Sequence, residues 1–228
     1  MEHMCVGLGH QKGTGMPNVT QHPRGKTIFS AGFTLIEMLV AMTLMALLMA
    51  LAMPSMTEWV RNSKVRAVSD ALQNGLRMAQ AEALRRSRQT VFSLTNASAP
   101  QAGVAATANG SNWSINALPS MSAGESGVFV QSGVLADVGA GVQITGPASI
   151  CFNSIGRLVA NNGAVLTGIT GGATCATTSE PTYDITVSGS DRPMRVLVAL
   201  GGQVRMCDPA KTLSASNPDG CPLAPTPP

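Results

Sequence analysis

The sequence predicts an α+β protein, in which one long amino-terminal helix precedes a domain built on an antiparallel β-sheet. Three observations predict it. No charged residue occurs from Met38 to Thr57. From Trp59 to about Arg88 apolar residues recur at spacings near three and four. Beyond Arg88 that period stops, and short β-prone runs alternate with Gly, Pro and Asn.

Residues 1–32 hold Gly7, Gly9, Gly13, Gly15, Pro17 and Pro23 without apolar periodicity, and read as a disordered leader. Its Lys12, Arg24 and Lys26 favour a cytoplasmic location for this end. Either Met1 or Met16 serves as a start. The apolar helix begins at Phe33 and reaches Met53, and about 20 such residues at ~1.5 Å rise cross the ~30 Å hydrocarbon layer of a bilayer. A cleaved secretory signal loses its apolar core with the cut. Here the small residue Gly32 precedes the run, so a cut at that place leaves the helix on the mature chain. Pro54 removes one helical hydrogen bond, and a kink or a locally melted turn is expected there.

The second half of the helix is amphipathic. Trp59, Val60, Val68, Leu72, Leu76, Ala79, Ala83 and Leu84 form a stripe that a sheet of the same chain should cover. With an end near Arg88 the helix spans 33–88, ~56 residues and ~84 Å. Residues 58–88 carry seven basic against three acidic side chains. That face is open to solvent, to neighbouring subunits or to anionic headgroups.

Residues 89–228 form the β-rich domain. Strands are expected near Thr90–Thr95, Asn112–Asn116, Val128–Gln131, Val142–Thr145, Ser149–Phe152, Tyr183–Val187, Met194–Ala199 and Gln203–Met206, with loops at 97–110 and 160–180. The formal net charge is +3; two of those charges belong to the leader, so a chain cut after Gly32 carries +1, which does not indicate a nucleic-acid binder.

His3, His10, His22 and Cys5 all precede Phe33. Four cysteines remain, Cys151, Cys175, Cys207 and Cys221, in a domain that the anchor places outside the cytoplasm, where disulfides form. Several pairings are open; Cys151–Cys175 and Cys207–Cys221 are favoured because each closes a short Gly- or Pro-rich loop. Zinc is disfavoured, since no Cys-x-x-Cys knuckle occurs and no histidine remains. Without histidine, Ser-His and Cys-His nucleophile pairs cannot be assembled, and no phosphate loop is present. Asp184 and Asp191 read as solvated loop charges rather than a carboxylate pair or a calcium site. The chain is therefore expected to be no enzyme and to carry no cofactor or metal.

Gly32-Phe33-Thr34-Leu35-Ile36-Glu37, followed by the apolar run, resembles the processing site of type IV pilins and of the pseudopilins of type II secretion. The resemblance implies cleavage after Gly32 by a membrane prepilin peptidase and methylation of the new amino group of Phe33. It also implies a pairing of Glu37 with an amino terminus during assembly. An ionised carboxylate within a bilayer costs about 3 kcal/mol, which such a partner offsets. The fragments Cys151–Leu158 and Val196–Pro209 are similar to the two carboxy-terminal strand pairs of GspH/FimT-like minor pilins.

The expected protein is thus a single-pass inner-membrane prepilin with a periplasmic domain, later part of a pilus filament or its tip. Its expected partners are the prepilin peptidase, other major and minor pilins and the inner-membrane lipid. An H-type pseudopilin of type II secretion is the alternative of the same architecture. The alternative of another class is a DNA receptor for natural transformation, with Arg192, Arg195, Arg205 and Lys211 as phosphate contacts. Against it, residues 89–228 carry five basic and seven acidic residues, and Gln203 stands where a further cation is expected.

Overall fold

The computed structural model describes residues 32–101, 103–119, 127–161, 175 and 180–222. The leader and nearly all of the expected 160–180 loop lie outside the described residues. The first helix, α1 (Leu35–Arg86), begins in a unit that ends at Leu47 and continues in a second unit, Leu48–Pro228, which holds every strand.

Helical structure continues through Pro54 and Ser55, so no turn is melted there. The helix stops two residues short of the expected Arg88, and local geometry explains why. Ser87 takes a left-handed conformation (φ 51°), its N–H reaches the Leu84 carbonyl at 3.2 Å, and the Arg88 N–H reaches that of Ala83 at 3.1 Å. This pair of bonds is the Schellman stop. It satisfies two end carbonyls and turns the chain straight into β1.

Val65, Val68, Leu72, Leu76, Ala79 and Ala83 are the buried stripe of α1. Trp59, Val60 and Leu84, expected within it, are exposed instead. Each has the right spacing, but full burial of the helix begins only at Val65, and Leu84 lies at the margin of the cover.

Eight strands fall at or near the expected places: β1 (Thr90–Thr95), β2 (Asn112–Ala117), β3 (Val128–Val134), β4 (Val142–Thr145), β5 (Ser149–Phe152), β6 (Thr182–Val187), β7 (Met194–Val198) and β8 (Val204–Thr212). A short helix, α2 (Leu135–Val138), and a two-residue strand, β9 (Gly220–Cys221), were not anticipated. The strands form two sheets, ordered β3-β2-β1-β5 and β4-β6-β7-β8-β9. Among the described residues the strand pairs are antiparallel, as expected, apart from the short pairing of β8 with β9, which is parallel.

Both sheets and the helix share one core. Phe92 and Trp113 of the first sheet stack at 5.7 Å, and Phe92 meets Tyr183 of the second edge-on at 6.3 Å. Gly75 of α1 makes the helix approach possible: a Cβ there would stand 2.9 Å from the Trp113 ring. Burial pushes the Tyr183 phenol well above its ordinary pKa, so it stays neutral. In the first sheet β1, β2 and β5 are buried on both faces, and the Ser93 and Ser149 hydroxyls pair at 2.9 Å on the outer one.

Candidate functional site

The amino-terminal segment is built around the start of α1. Gly32, Phe33 and Thr34 are non-helical and exposed. A Cβ added to Gly32 would meet no atom within 4 Å, and the Phe33 ring is 75% exposed, so the Gly32–Phe33 peptide bond is uncovered. The Glu37 N–H donates to the Thr34 hydroxyl at 3.2 Å, and the Met38 N–H donates to the Thr34 carbonyl at 3.1 Å. Thr34 is thus the helix cap, with Glu37 three residues on and in the first turn, where a negative charge faces the positive end of the helix dipole. The Thr-x-x-Glu spacing signals this cap in the sequence, so Glu37 has a place in the helix start in addition to its expected pairing during assembly.

The following turns contain the expected apolar surface. The most apolar window of α1 has a mean hydropathy of 2.3, and none of it is buried. Its few hydroxyls are satisfied by the helix itself: Thr43 Oγ1 donates to the Val40 carbonyl at 2.9 Å and Ser55 Oγ to that of Ala52 at 3.1 Å. In hydrocarbon, where water offers no partner, such internal satisfaction is required.

The other sequence-derived candidates lie in the β-domain. Cys151 of β5 is joined to Cys175, and Cys207 of β8 to Cys221 of β9, closing separations of 24 and 14 residues. Arg195 and Arg205 lie on the face of β7 and β8 turned away from the core, as alternation requires, because Val196, Val198, Val204 and Met206 occupy the other face. Between them stands a buried apolar cluster of Leu197, Cys207 and Cys221.

The cations are largely engaged. Arg195 makes a bidentate pair with Asp184, its cross-strand partner, at 2.6 and 3.0 Å, and that contact raises its pKa. Lys211 reaches Asp219 at 2.7 Å and Asp208 at 3.4 Å, and its pKa is raised by both. Arg192 neighbours Asp191, whose carboxyl is held below its ordinary value, chiefly by the hydrogen bond from Asn62 at 2.6 Å. Asp184 and Asp191 are therefore bound to separate partners rather than to each other, and Asp184 is a strand residue rather than a loop charge. Among the described residues no cluster of three or more metal-ligating side chains occurs.

The family described as the prokaryotic N-terminal methylation motif matches residues 29–53. No curated protein matches the sequence. Among solved structures, the type IV minor pilin FimU of Pseudomonas aeruginosa is similar at 14% identity, covering 63% of this chain and 96% of that one, with a TM-score of 0.40. A second crystal form of FimU gives 15% identity, coverage of 64% and 92%, and a TM-score of 0.41. The solution structure of E. coli GspH gives 10% identity, coverage of 65% and 91%, and a TM-score of 0.40. At the amino terminus the exposed glycine, the capped helix start and the apolar run coincide with the matched prokaryotic N-terminal methylation motif.

Proposed function

We propose that the protein is a minor pilin: an inner-membrane prepilin, cut between Gly32 and Phe33, methylated on Phe33 and built into a type IV pilus through its apolar helix. The observation that carries this is the methylation motif at 29–53 leading into a helix whose apolar surface is left uncovered by the described residues. A bilayer supplies that cover before assembly, and neighbouring rods supply it afterwards. Head-to-tail packing of one repeated rod generates a helical filament. Glu37 takes a methylated amino terminus as its counter-ion when it leaves the lipid. The β-domain stays on the periplasmic side and ends at the filament surface or tip, as a structural subunit rather than an enzyme. Twitching and DNA uptake are the pilus activities such a subunit would serve. In a type II secretion system the same architecture would act as an H-type pseudopilin, and neighbouring genes discriminate the two settings. The DNA-receptor reading is not adopted, because Arg195 and Lys211 are already paired with carboxylates.

The decisive experiment concerns the cut. Gly32→Val places a branched side chain beside the scissile bond, and full-length precursor should accumulate in the membrane fraction. Mass spectrometry of wild type should find methylated Phe33 as the first residue; a mature terminus elsewhere would remove the assignment.

A further inference from the structure

Between the helix segment from Ser55 to Arg66 and strands β7 and β8 lies an open groove of about 990 Å³. One wall begins at Ser55, inside the uncharged run, and continues through Trp59, which is 68% exposed. That run ends at Thr57. If ~20 residues at ~1.5 Å each fill the ~30 Å hydrocarbon layer, the mouth of the groove lies where hydrocarbon gives way to headgroups. Tryptophan partitions to that level.

The groove has an apolar floor and charges of both signs. Met194 and Met206 contribute thioethers, while Arg66 and Arg192 stand against Glu58 and Asp191. Lys211 is held by its own two aspartates and adds little free charge. Glu58 and Asp191 both line the groove, so it presents two carboxylates. Carboxylates accept charge-assisted hydrogen bonds from a cation that carries N–H donors. An anionic headgroup would offer these carboxylates nothing. A quaternary ammonium has no N–H to donate.

We propose that the groove holds an aminophospholipid headgroup while the subunit resides in the bilayer, the phosphate on Arg66 and Arg192 and the primary ammonium on Glu58 and Asp191. This rests on the membrane-anchored reading above. It assigns the basic helix face near Arg66 to headgroups, in a groove whose mixed charge matches a zwitterion.

The test uses the full-length protein in nanodiscs of phosphatidylethanolamine or of phosphatidylcholine, each with the same share of phosphatidylglycerol. Native mass spectrometry then identifies the lipid retained on the protein. Wild type should retain phosphatidylethanolamine in preference to the other two, and Arg66→Ala/Arg192→Ala should reduce its occupancy about tenfold. Glu58→Gln/Asp191→Asn should still hold a phospholipid but lose the preference for the primary amine. Equal retention of the ethanolamine and choline lipids by wild type, or equal occupancy in the arginine variant, overturns the proposal. Quenching of Trp59 by brominated acyl chains, against a core-buried Trp113, reads the anchoring separately. Quenching without a retained aminophospholipid overturns the headgroup site alone, whereas absence of quenching removes the anchoring and the proposal together.

Discussion

Leu44 and Leu72 are the same residue in the same helix, yet the first is 56% exposed and the second is fully buried. The difference comes from what each can be covered by. Around Leu44 every side of the helix is apolar, so no one-sided sheet could satisfy it; only a solvent that is itself apolar, or a ring of like helices, does so. Around Leu72 the apolar stripe is narrow, and Phe92, Ile150 and Val196 belong to the core that covers it. Folding stability therefore rests on the second half of this one element, while the first half is left exposed.

The comparison can be broken most severely at Glu37. Glu37→Ala should insert into the membrane as well as wild type yet vanish from sheared filaments, and equal recovery in the sheared fraction would refute a pairing with an amino terminus. Next come the leucines. Leu72→Ala should lower stability by about 2–5 kcal/mol, through lost burial and a residual cavity, whereas Leu44→Ala should stay within about 0.5 kcal/mol. Chemical denaturation of both variants in detergent checks this. Should Leu44→Ala cost as much as Leu72→Ala, the two halves would not be distinct.

Cys207→Ser/Cys221→Ser is expected to cost about 3 kcal/mol in the chain-entropy model for a loop of this size. Thermal melts of the two forms provide the measurement, and free thiols in the wild-type protein would contradict it. The smallest effect belongs to Glu82, whose carboxyl accepts from Arg85 and Arg86 at 2.8 and 2.7 Å. Those bonds lower its pKa from 4.5 to about 2. A folded value below the unfolded one means the stabilisation is complete above pH 4.5 and is lost as the pH falls toward 2. Because Arg85 is 62% exposed, about 0.5 kcal/mol is at stake. Glu82→Gln should lower stability by about 0.5 kcal/mol at neutral pH and remove this group's share of its fall over that acid interval.

The sequence was most legible where the signal was local. A run without charges, a stripe of period near 3.6 and alternating apolar residues placed α1 and eight strands, because each depends on neighbours a few positions away. The two-residue β9 could not be read this way. Two residues carry no alternation, and no local period marks its parallel pairing with β8. Trp59, Val60 and Leu84 were misassigned for a related reason: spacing reports a face, but only tertiary structure decides where the cover on that face ends. The ion pair between Arg195 and Asp184 was equally hidden, since it follows from the register of β6 on β7. Thr34 is different, because its capping signal lies in the local Thr-x-x-Glu spacing itself.

The parallel strand β9 has a consequence for how many copies of this chain can coexist. A bare strand edge is a template on which another chain can add, and subunits concentrated in one membrane plane would meet such edges often. Along the outer end of β8 the edge is closed: the Asp208 N–H donates to the Asp219 carbonyl at 2.8 Å, and the Leu213 N–H to that of Cys221 at 2.9 Å. Pro209 has no N–H to offer, and the Lys211 side chain adds a charge beside it. With Cys207 bonded to Cys221, the closing segment cannot peel away. Copies of this chain are thereby protected from sheet-to-sheet addition along this segment of the edge.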